Sequence, residues 1–407
     1  MIQKALIPFI LVALIDLYFF QAIKTISIDL PDKTRWAIQC GFWALSAMIY
    51  LMIFISVSPG FIDQGNRYIF FSIILISVVS KLSGSFFLLL EDITRLGQSL
   101  IGMFGGNGFS VEGRRGFISK VGLAIFSLPF ATLLYGMMAR VSKMATKNIE
   151  LHLPNLPMGW DGAVIAQISD LHVGSLSSSD LIDRAAEIIN ERQPEITVLT
   201  GDLVNSEAIE ADNFVDALSK IQGKLGKFSI LGNHDYGIYR EWGSEAEKLA
   251  NDRHMEKIHA DSGFDLLKNA NRRLERNGDK ISILGSENWG SSRHFPKFGD
   301  LKKTMKGVPE TDVKILLSHD PTHWDSEVLE KTDIDLTLSG HTHGFQFGME
   351  IPGFVKWSPV QYVYKHWSGL YEKAGQYLYV NRGLGFLGYM GRVGMTPEVT
   401  FITLRRK

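Results

Sequence analysis

Asp170-Leu171-His172, Gly201-Asp202, Gly232-Asn233-His234-Asp235, Ser318-His319 and Gly340-His341-Thr342-His343 concentrate metal-capable side chains of this 407-residue chain into five short motifs. Imidazole nitrogens mixed with carboxylate and amide oxygens suit Mn, Fe or Zn, whereas Mg and Ca favour oxygen alone. On an extended strand end, the outer residues of an Asp-x-His or His-x-His triplet share a face, because side chains alternate with period two. Each triplet is therefore expected to aim two ligands into one cleft. A solitary histidine is more often a satisfied polar residue than a ligand, but five coincident strand-end motifs favour a metal site. All eleven histidines, moreover, lie beyond residue 150.

Short apolar runs precede the motifs and must position them: Ala163 to Ile168, Ile196 to Thr200, Phe228 to Leu231, Val313 to Leu317 and Ile334 to Leu338. Rich in Val, Ile and Leu, they read as buried strands of an α/β sheet. Open α/β sheets bind ligands at the carboxyl ends of their strands, which is where all five motifs fall. Helical patterns at Ser179 to Glu191 and Asp212 to Leu225 alternate with these strands, and Asn277-Gly278 is a strong hairpin signal.

In order and spacing the motifs resemble those of the calcineurin-like metallophosphoesterases, whose signature runs D-x-H, G-D, G-N-H-[DE], H and G-H-x-H. The resemblance covers about residues 161 to 405. Within the family it is similar to a membrane-associated, YkuE- and YaeI-like branch, whose tail resembles Leu378 to Gly385 followed by Pro397 to Leu404. One departure is Phe345, where many members carry a second Gly after G-H-T-H-G. The resemblance implies an αββα sandwich of two mixed sheets flanked by helices. It also implies two divalent metal ions: Asp170, His172 and His343 on the first, Asn233, His319 and His341 on the second, and Asp202 bridging both. Such pairs clamp the attacking and leaving oxygens of an in-line displacement, and a bridging hydroxide would be the nucleophile. His234, outside the ligand set but adjoining it, is the expected proton donor to the leaving oxygen, with Asp235 expected to orient its ring.

Four apolar segments precede this region, at about residues 5–23, 37–57, 68–90 and 121–138. Each is near or above the roughly 17–25 residues needed to span a bilayer. The expected organisation is a transmembrane region over 1–148 and a metallophosphoesterase domain over 149–407. Connectors are expected at Ser58 to Asn66 and Arg95 to Arg115. Asp16 and Lys81 fall at similar depth in the first and third segments. Ionisable groups there are costly, so an ion pair between them is expected.

The first 150 residues hold 13 of the 42 basic and 8 of the 43 acidic side chains, leaving 29 and 35 for the rest. A basic membrane region suits anionic lipid headgroups, and an acidic catalytic region argues against nucleic acid as a partner. The single cysteine, Cys40, excludes an intrachain disulfide. With the amino terminus outside, seven basic residues flank the spans inside against five outside, a bias that directs the catalytic domain out of the cytoplasm at the cell membrane. Phe345, Phe347, Ile351, Phe354, Trp357, Tyr362, Tyr364 and Trp367, with Phe386 and Tyr389 beyond, suggest a rim for acyl chains. The leading expectation is hydrolysis of a phosphate ester or pyrophosphate bond in a lipid-linked substrate. The alternatives are a tethered phosphatase of soluble substrates and a catalytically silent, metal-bound membrane adaptor.

Overall fold

The computed structural model describes residues 2–58, 62, 64–103, 114–138, 144–351 and 353–407. They form two compact units, Met1–Met138 with Gly388–Gly391, and Ala139–Leu387 with Arg392–Lys407.

Helices α1 (Ile2–Ser27), α2 (Asp32–Val57), α3 (Gln64–Met103) and α4 (Arg114–Met138) make up the first unit, and each contains a stretch long and apolar enough to cross a membrane. In α2 the buried positions Ser46, Ile49 and Ile53 recur at helical spacing, so one stripe meets the neighbouring helices while the rest is left for lipid. The third helix outruns its expected end. Ile93, Leu96 and Leu100 continue a helical stripe without an intervening proline, and the Arg95–Glu91 pair spans one turn. The connector expected from Arg95 is therefore helical as far as Met103, and residues 104–113 lie outside the described residues, as do 59–61 and 63 of the earlier connector. The expected buried pair is formed: Lys81 Nζ lies 2.5 Å from Asp16 Oδ1, and Tyr50 Oη donates to Asp16 Oδ2 at 2.6 Å. Lys81 also reaches Ser46 Oγ at 3.4 Å, so the pair ties α1, α2 and α3 together.

Two six-stranded mixed sheets build the second unit. One runs β1 (Ala145–Leu153), β14 (Glu398–Arg406), β2 (Val164–Ile168), β3 (Ile196–Leu199), β4 (Gly226–Ser229) and β5 (Asp265–Leu266). The other runs β12 (Gly369–Lys373), β13 (Gln376–Val380), β9 (Leu336–Ser339), β8 (Lys314–Leu317), β7 (Asp279–Gly285) and β6 (Ala270–Arg276). Strands β2 to β5 are mutually parallel, as are β7, β8, β9 and β13. A small hairpin of β10 (Met349–Ile351) and β11 (Val355–Trp357) stands apart from both sheets. Strand β1 begins a few residues ahead of the expected domain boundary at 149.

Facing side chains such as Ile165, Val198, Ile283, Ile315, Leu338 and Ile402 fill the space between the sheets with fully buried aliphatic groups. On the outer side of the first sheet, α5 (Asp180–Arg192) buries Leu181, Ile182, Ala185, Ala186 and Ile189, one stripe of its surface. Helices α6 (Val215–Ser219) and α7 (Glu245–Asp261) join it there through Leu218, Met255 and Ile258. Trp324, Val328 and Leu329 cover the outer side of the second sheet, close to the short α8 (Leu301–Thr304). The architecture is the αββα sandwich implied by the motifs. At the Asn277-Gly278 hairpin both residues take positive φ, 53° and 86°, as a tight β6–β7 turn requires. The helix expected over Asp212 to Leu225 is instead broken. A 3-10 segment precedes the five-residue α6, and beyond it the Asn190 side chain holds Lys220 O and the Gln222 amide in a loop.

Candidate metal centre

The five motifs occupy loops directly after β2, β3, β4, β8 and β9, so two sheets deliver their ligands to one end of the sandwich. The triplets do not lie on extended backbone, contrary to the period-two expectation. Strand β2 ends at Ile168 and β9 at Ser339, and beyond them Asp170, His172, His341 and His343 all adopt left-handed φ between 45° and 74°, as does Asp202 at 55°. Left-handed backbone costs an L-residue roughly 1–2 kcal/mol, and clusters of it mark functional loops. Convergence of the ligands thus comes from repeated tight kinks. Those kinks bring loop backbones very close. A Cβ at Gly340 would meet Ser169 Oγ at 2.0 Å and Asp170 Oδ2 at 2.2 Å, and one at Gly232 would meet Asp202 Oδ1 at 2.2 Å.

Three donor atoms meet at one point: His172 Nε2 is 3.1 Å from His343 Nε2, which is 3.3 Å from Asp170 Oδ1. A second convergence joins His319 Nε2 to His341 Nδ1 at 3.3 Å and to Asp202 Oδ2 at 3.1 Å. The same Asp202 oxygen is 3.6 Å from His172 Nε2, so it stands between the two groups. All seven residues assigned to the metals are buried or nearly so.

Each ring is held by its other nitrogen. His172 Nδ1 faces Asn205 Oδ1 at 2.9 Å, and His319 Nδ1 faces Thr200 O at 2.7 Å. Those acceptors each take an Nδ1 proton; His172 is left with a bare Nε2 lone pair in the cleft, whereas His319 turns a protonated Nε2 toward Asp202 Oδ2. His341 is reversed, with Nε2 on Tyr364 Oη at 2.8 Å and Nδ1 toward His319. Burial, reinforced by the neighbouring His234, pushes His172 down to about 3. His343 falls well below the usual range through burial, with His172 and the Arg392 guanidinium adding to the effect. Burial would lower His319 as well, but the Asp202 carboxylate outweighs it and holds that ring at about 10. Asp202 itself stays ionised, since His319 and His234 overcome its burial. Asp170 is raised to about 7 by burial and by the charge of Asp202, with His319 opposing.

His234 lies within the same cluster, its ligand-capable nitrogen within 4.8 Å of those of His172 and Asp202. Its orientation does not come from Asp235. The His234 Nδ1 proton goes to Asn205 O at 2.6 Å, whereas the Asp235 carboxylate accepts the backbone N–H groups of Gly232, Asp202, Leu203 and Val204. A carboxylate with four amides to satisfy braces the Asp202 loop against the Asn233 loop, and the ring of His234 points elsewhere. Asn205 went unrecognised in the sequence, yet it fixes two rings, one through its side chain and one through its carbonyl. Arg392 was missed too. Fully buried, it bonds the carbonyls of Arg382 and Gly385 and lies 3.5 Å from His343 Nδ1.

These residues fit a pair of divalent cations. His172 Nε2, His343 Nε2 and Asp170 Oδ1 aim nitrogen and carboxylate oxygen at one buried point, a donor set of the kind a divalent cation takes. Asn233 spends its amide N–H on Tyr239 Oη at 2.8 Å, and its buried Oδ1 has no hydrogen-bond partner among the described residues. An unsatisfied buried acceptor costs about 1–3 kcal/mol, a penalty that a metal ion removes. Softer N/O donors of this kind favour Mn, Fe or Zn.

Comparison with known proteins agrees. The family model described as "Calcineurin-like phosphoesterase" matches residues 163–345, and that described as "Probable Calcineurin-like phosphoesterase, transmembrane domain" matches residues 3–140. The "Uncharacterized metallophosphoesterase YkuE" of Bacillus subtilis (strain 168) is 30% identical over 61% of this chain and 82% of its own length. The "Transmembrane protein with metallophosphoesterase domain" is 26% identical in Danio rerio, over 67% of this chain, and 27% identical in Bos taurus, over 66%. The match spans 60% and 59% of those two relatives' own lengths. With the two converging donor groups and four apolar helices, this places the chain among the calcineurin-like metallophosphoesterases, as a membrane-associated member with its own transmembrane region.

Proposed function

We propose that the chain hydrolyses a phosphate ester or pyrophosphate bond in a lipid-linked substrate at the membrane. The observation that carries the chemistry is the double convergence of ligand atoms on either side of Asp202 Oδ2. Asp170, His172 and His343 would hold one ion, Asn233, His319 and His341 the other, and Asp202 both. Such a pair supplies Lewis acidity and an activated water for in-line displacement at phosphorus. The chain's own groups do the rest. Asn205 O keeps the Nδ1 proton of His234 engaged, so a cationic His234 presents its second proton at Nε2, where it can be passed to the departing oxygen. Asp235 keeps the Asp202 and Asn233 loops in register while the substrate changes around them.

Support for a lipid-linked substrate comes from the loops that follow His343. Trp367 and Phe386 are core residues, but Phe354 is 86% exposed, Tyr362 77% and Phe345 62%, with Met349 and Ile351 half open beside them. Aromatic and aliphatic groups left in water on the catalytic unit of a membrane protein suit a headgroup and acyl-chain rim. The basic-residue bias around the spans supports an extracytoplasmic catalytic unit. The test is turnover of a chromogenic phosphodiester and of membrane phospholipid phosphoesters by the detergent-solubilised full chain, with and without added Mn. Metal-dependent turnover that favours the lipid substrates is expected. Preference for the soluble ester would favour a tethered phosphatase, and metal binding without any turnover a silent adaptor.

A further inference from the structure

Two phenols stand beside the Asn233, His319 and His341 half of the centre, and neither belongs to the ligand set. Tyr239, shortly after the Gly232-to-Asp235 motif, accepts a hydrogen bond from Asn233 Nδ2 at 2.8 Å, and its ring centroid lies 4.4 Å from that of His234. Tyr364, in the loop beyond β11, has its hydroxyl 2.8 Å from His341 Nε2. Different loops thus hang one phenol on each of two ligands assigned to the same metal.

Donor and acceptor roles are fixed by the partners. An amide Nδ2 can only donate, so the Tyr239 oxygen accepts and its own proton is free to be given. With His341 Nδ1 turned toward His319 Nε2, the proton of that ring sits on Nε2 and goes to the Tyr364 oxygen, which frees the Tyr364 proton as well. Among the described residues neither phenol proton meets an acceptor. A phenol is an O–H donor as well as an acceptor, so each hydroxyl keeps a proton to give. Tyr239 is half exposed and Tyr364 only partly buried, which leaves both hydroxyls reachable by a ligand entering from solvent.

We propose that Tyr239 and Tyr364 form a two-phenol cradle that donates hydrogen bonds to the non-bridging oxygens of the phosphoryl group bound at this centre. The proposal rests on the phosphoesterase reading and adds to it the groups that bind and orient the phosphoryl oxygens. A purely supporting role, in which each phenol merely steadies a ligand, makes a different forecast.

The experiment uses the full chain in detergent, loaded with Mn, as wild type, Tyr239→Phe, Tyr364→Phe and the double variant. Phenylalanine keeps each ring and removes only the donor. Three quantities are read: metal content, affinity for inorganic phosphate by calorimetric titration, and kcat and KM on bis-(para-nitrophenyl) phosphate. The cradle predicts full metal content, phosphate bound roughly tenfold more weakly, and kcat lower by about 10²-fold, the lower end of what one oxyanion donor contributes. Phosphate affinity unchanged in both variants, or activity that falls only in step with lost metal, overturns it. Should the wild type bind phosphate yet hydrolyse nothing, the phosphoesterase reading fails while the phosphate titration still decides the cradle.

Discussion

His172 Nε2 and His343 Nε2 face each other across 3.1 Å although 171 residues separate them in sequence. One ring is brought there by the loop after β2 and the other by the loop after β9, strands of different sheets. The sandwich therefore acts as a jig whose two halves meet at their loop ends, and the consequences can be measured.

Removal of the His234 ring should spare the metals and slow the reaction. His234→Ala is expected to retain both ions and to lose roughly 10²–10⁴-fold in kcat, the usual worth of a positioned proton donor. The loss should be small on nitrophenyl esters, whose leaving groups need no proton, and large on alkyl esters. Equal losses on both would show that His234 does something other than protonate the leaving oxygen.

Metal binding should release a proton from His319. Its folded-state value is raised to about 10, so without metal the ring is protonated at pH 8, and an ion that takes the Nε2 lone pair must displace that proton. Asp170, raised only to about 7, is already largely ionised at pH 8 and contributes little there. Apparent affinity at that site should thus rise about tenfold per unit between pH 8 and 9 and flatten above 10, with about one proton released. Titration calorimetry in buffers of different ionisation enthalpy counts that proton, and an affinity independent of pH across this window would refute the assignment.

The buried Asp16–Lys81 pair predicts non-additive losses in the helical unit. Asp16→Ala strands a lysine among apolar helices and should destabilise by about 3–5 kcal/mol, as breaking a buried pair does. Adding Lys81→Ala removes the stranded charge and should cost nothing further or restore stability. Denaturation of the four-member mutant cycle in detergent measures this, and additive losses would mean that the two groups act separately.

At Phe345 the φ of 57° is one that glycine adopts freely. The departure from G-H-T-H-G-G therefore leaves the loop in the conformation a glycine would take, at a strain of roughly 1–2 kcal/mol, and an exposed aromatic ring is what the strain maintains. Phe345→Gly is expected to raise thermal stability slightly while lowering turnover of a lipid-linked phosphoester more than that of a small soluble one. Parallel changes on both substrates would reduce Phe345 to local packing.

The strands that carry the site were legible because each is a short run of Val, Ile and Leu ending in a polar motif, as at Ile196 to Thr200 before Gly201-Asp202. Asn277-Gly278 was equally plain, since its residue types dictate the turn. How the ligands converge was not legible. Period-two geometry predicts a shared face for Asp170 and His172, whereas left-handed kinks, which Asp and His tolerate but do not dictate, do the aiming. Asn205 escaped notice because its partners, His172 and His234, lie about thirty residues away on either side and meet it only in three dimensions. Asp235 was misread for a related reason. Adjacency to His234 suggested a contact with the ring, but the 3-10 turn at His234–Tyr236 points the two side chains apart, and four backbone amides claim the carboxylate.

Everything proposed for this centre depends on Asp202 serving two ions at once, so the stoichiometry of metal in Asp202→Asn compared with wild type is the most direct measurement. Wild type, saturated with Mn and freed of excess, should hold two ions per chain. The variant keeps the shape of the side chain but loses its charge, and both sites should weaken together by more than the roughly 10–100-fold that loss of an outer partner costs. Two ions retained at wild-type affinity, or one site lost with the other untouched, would contradict the bridging role and with it the two-metal centre.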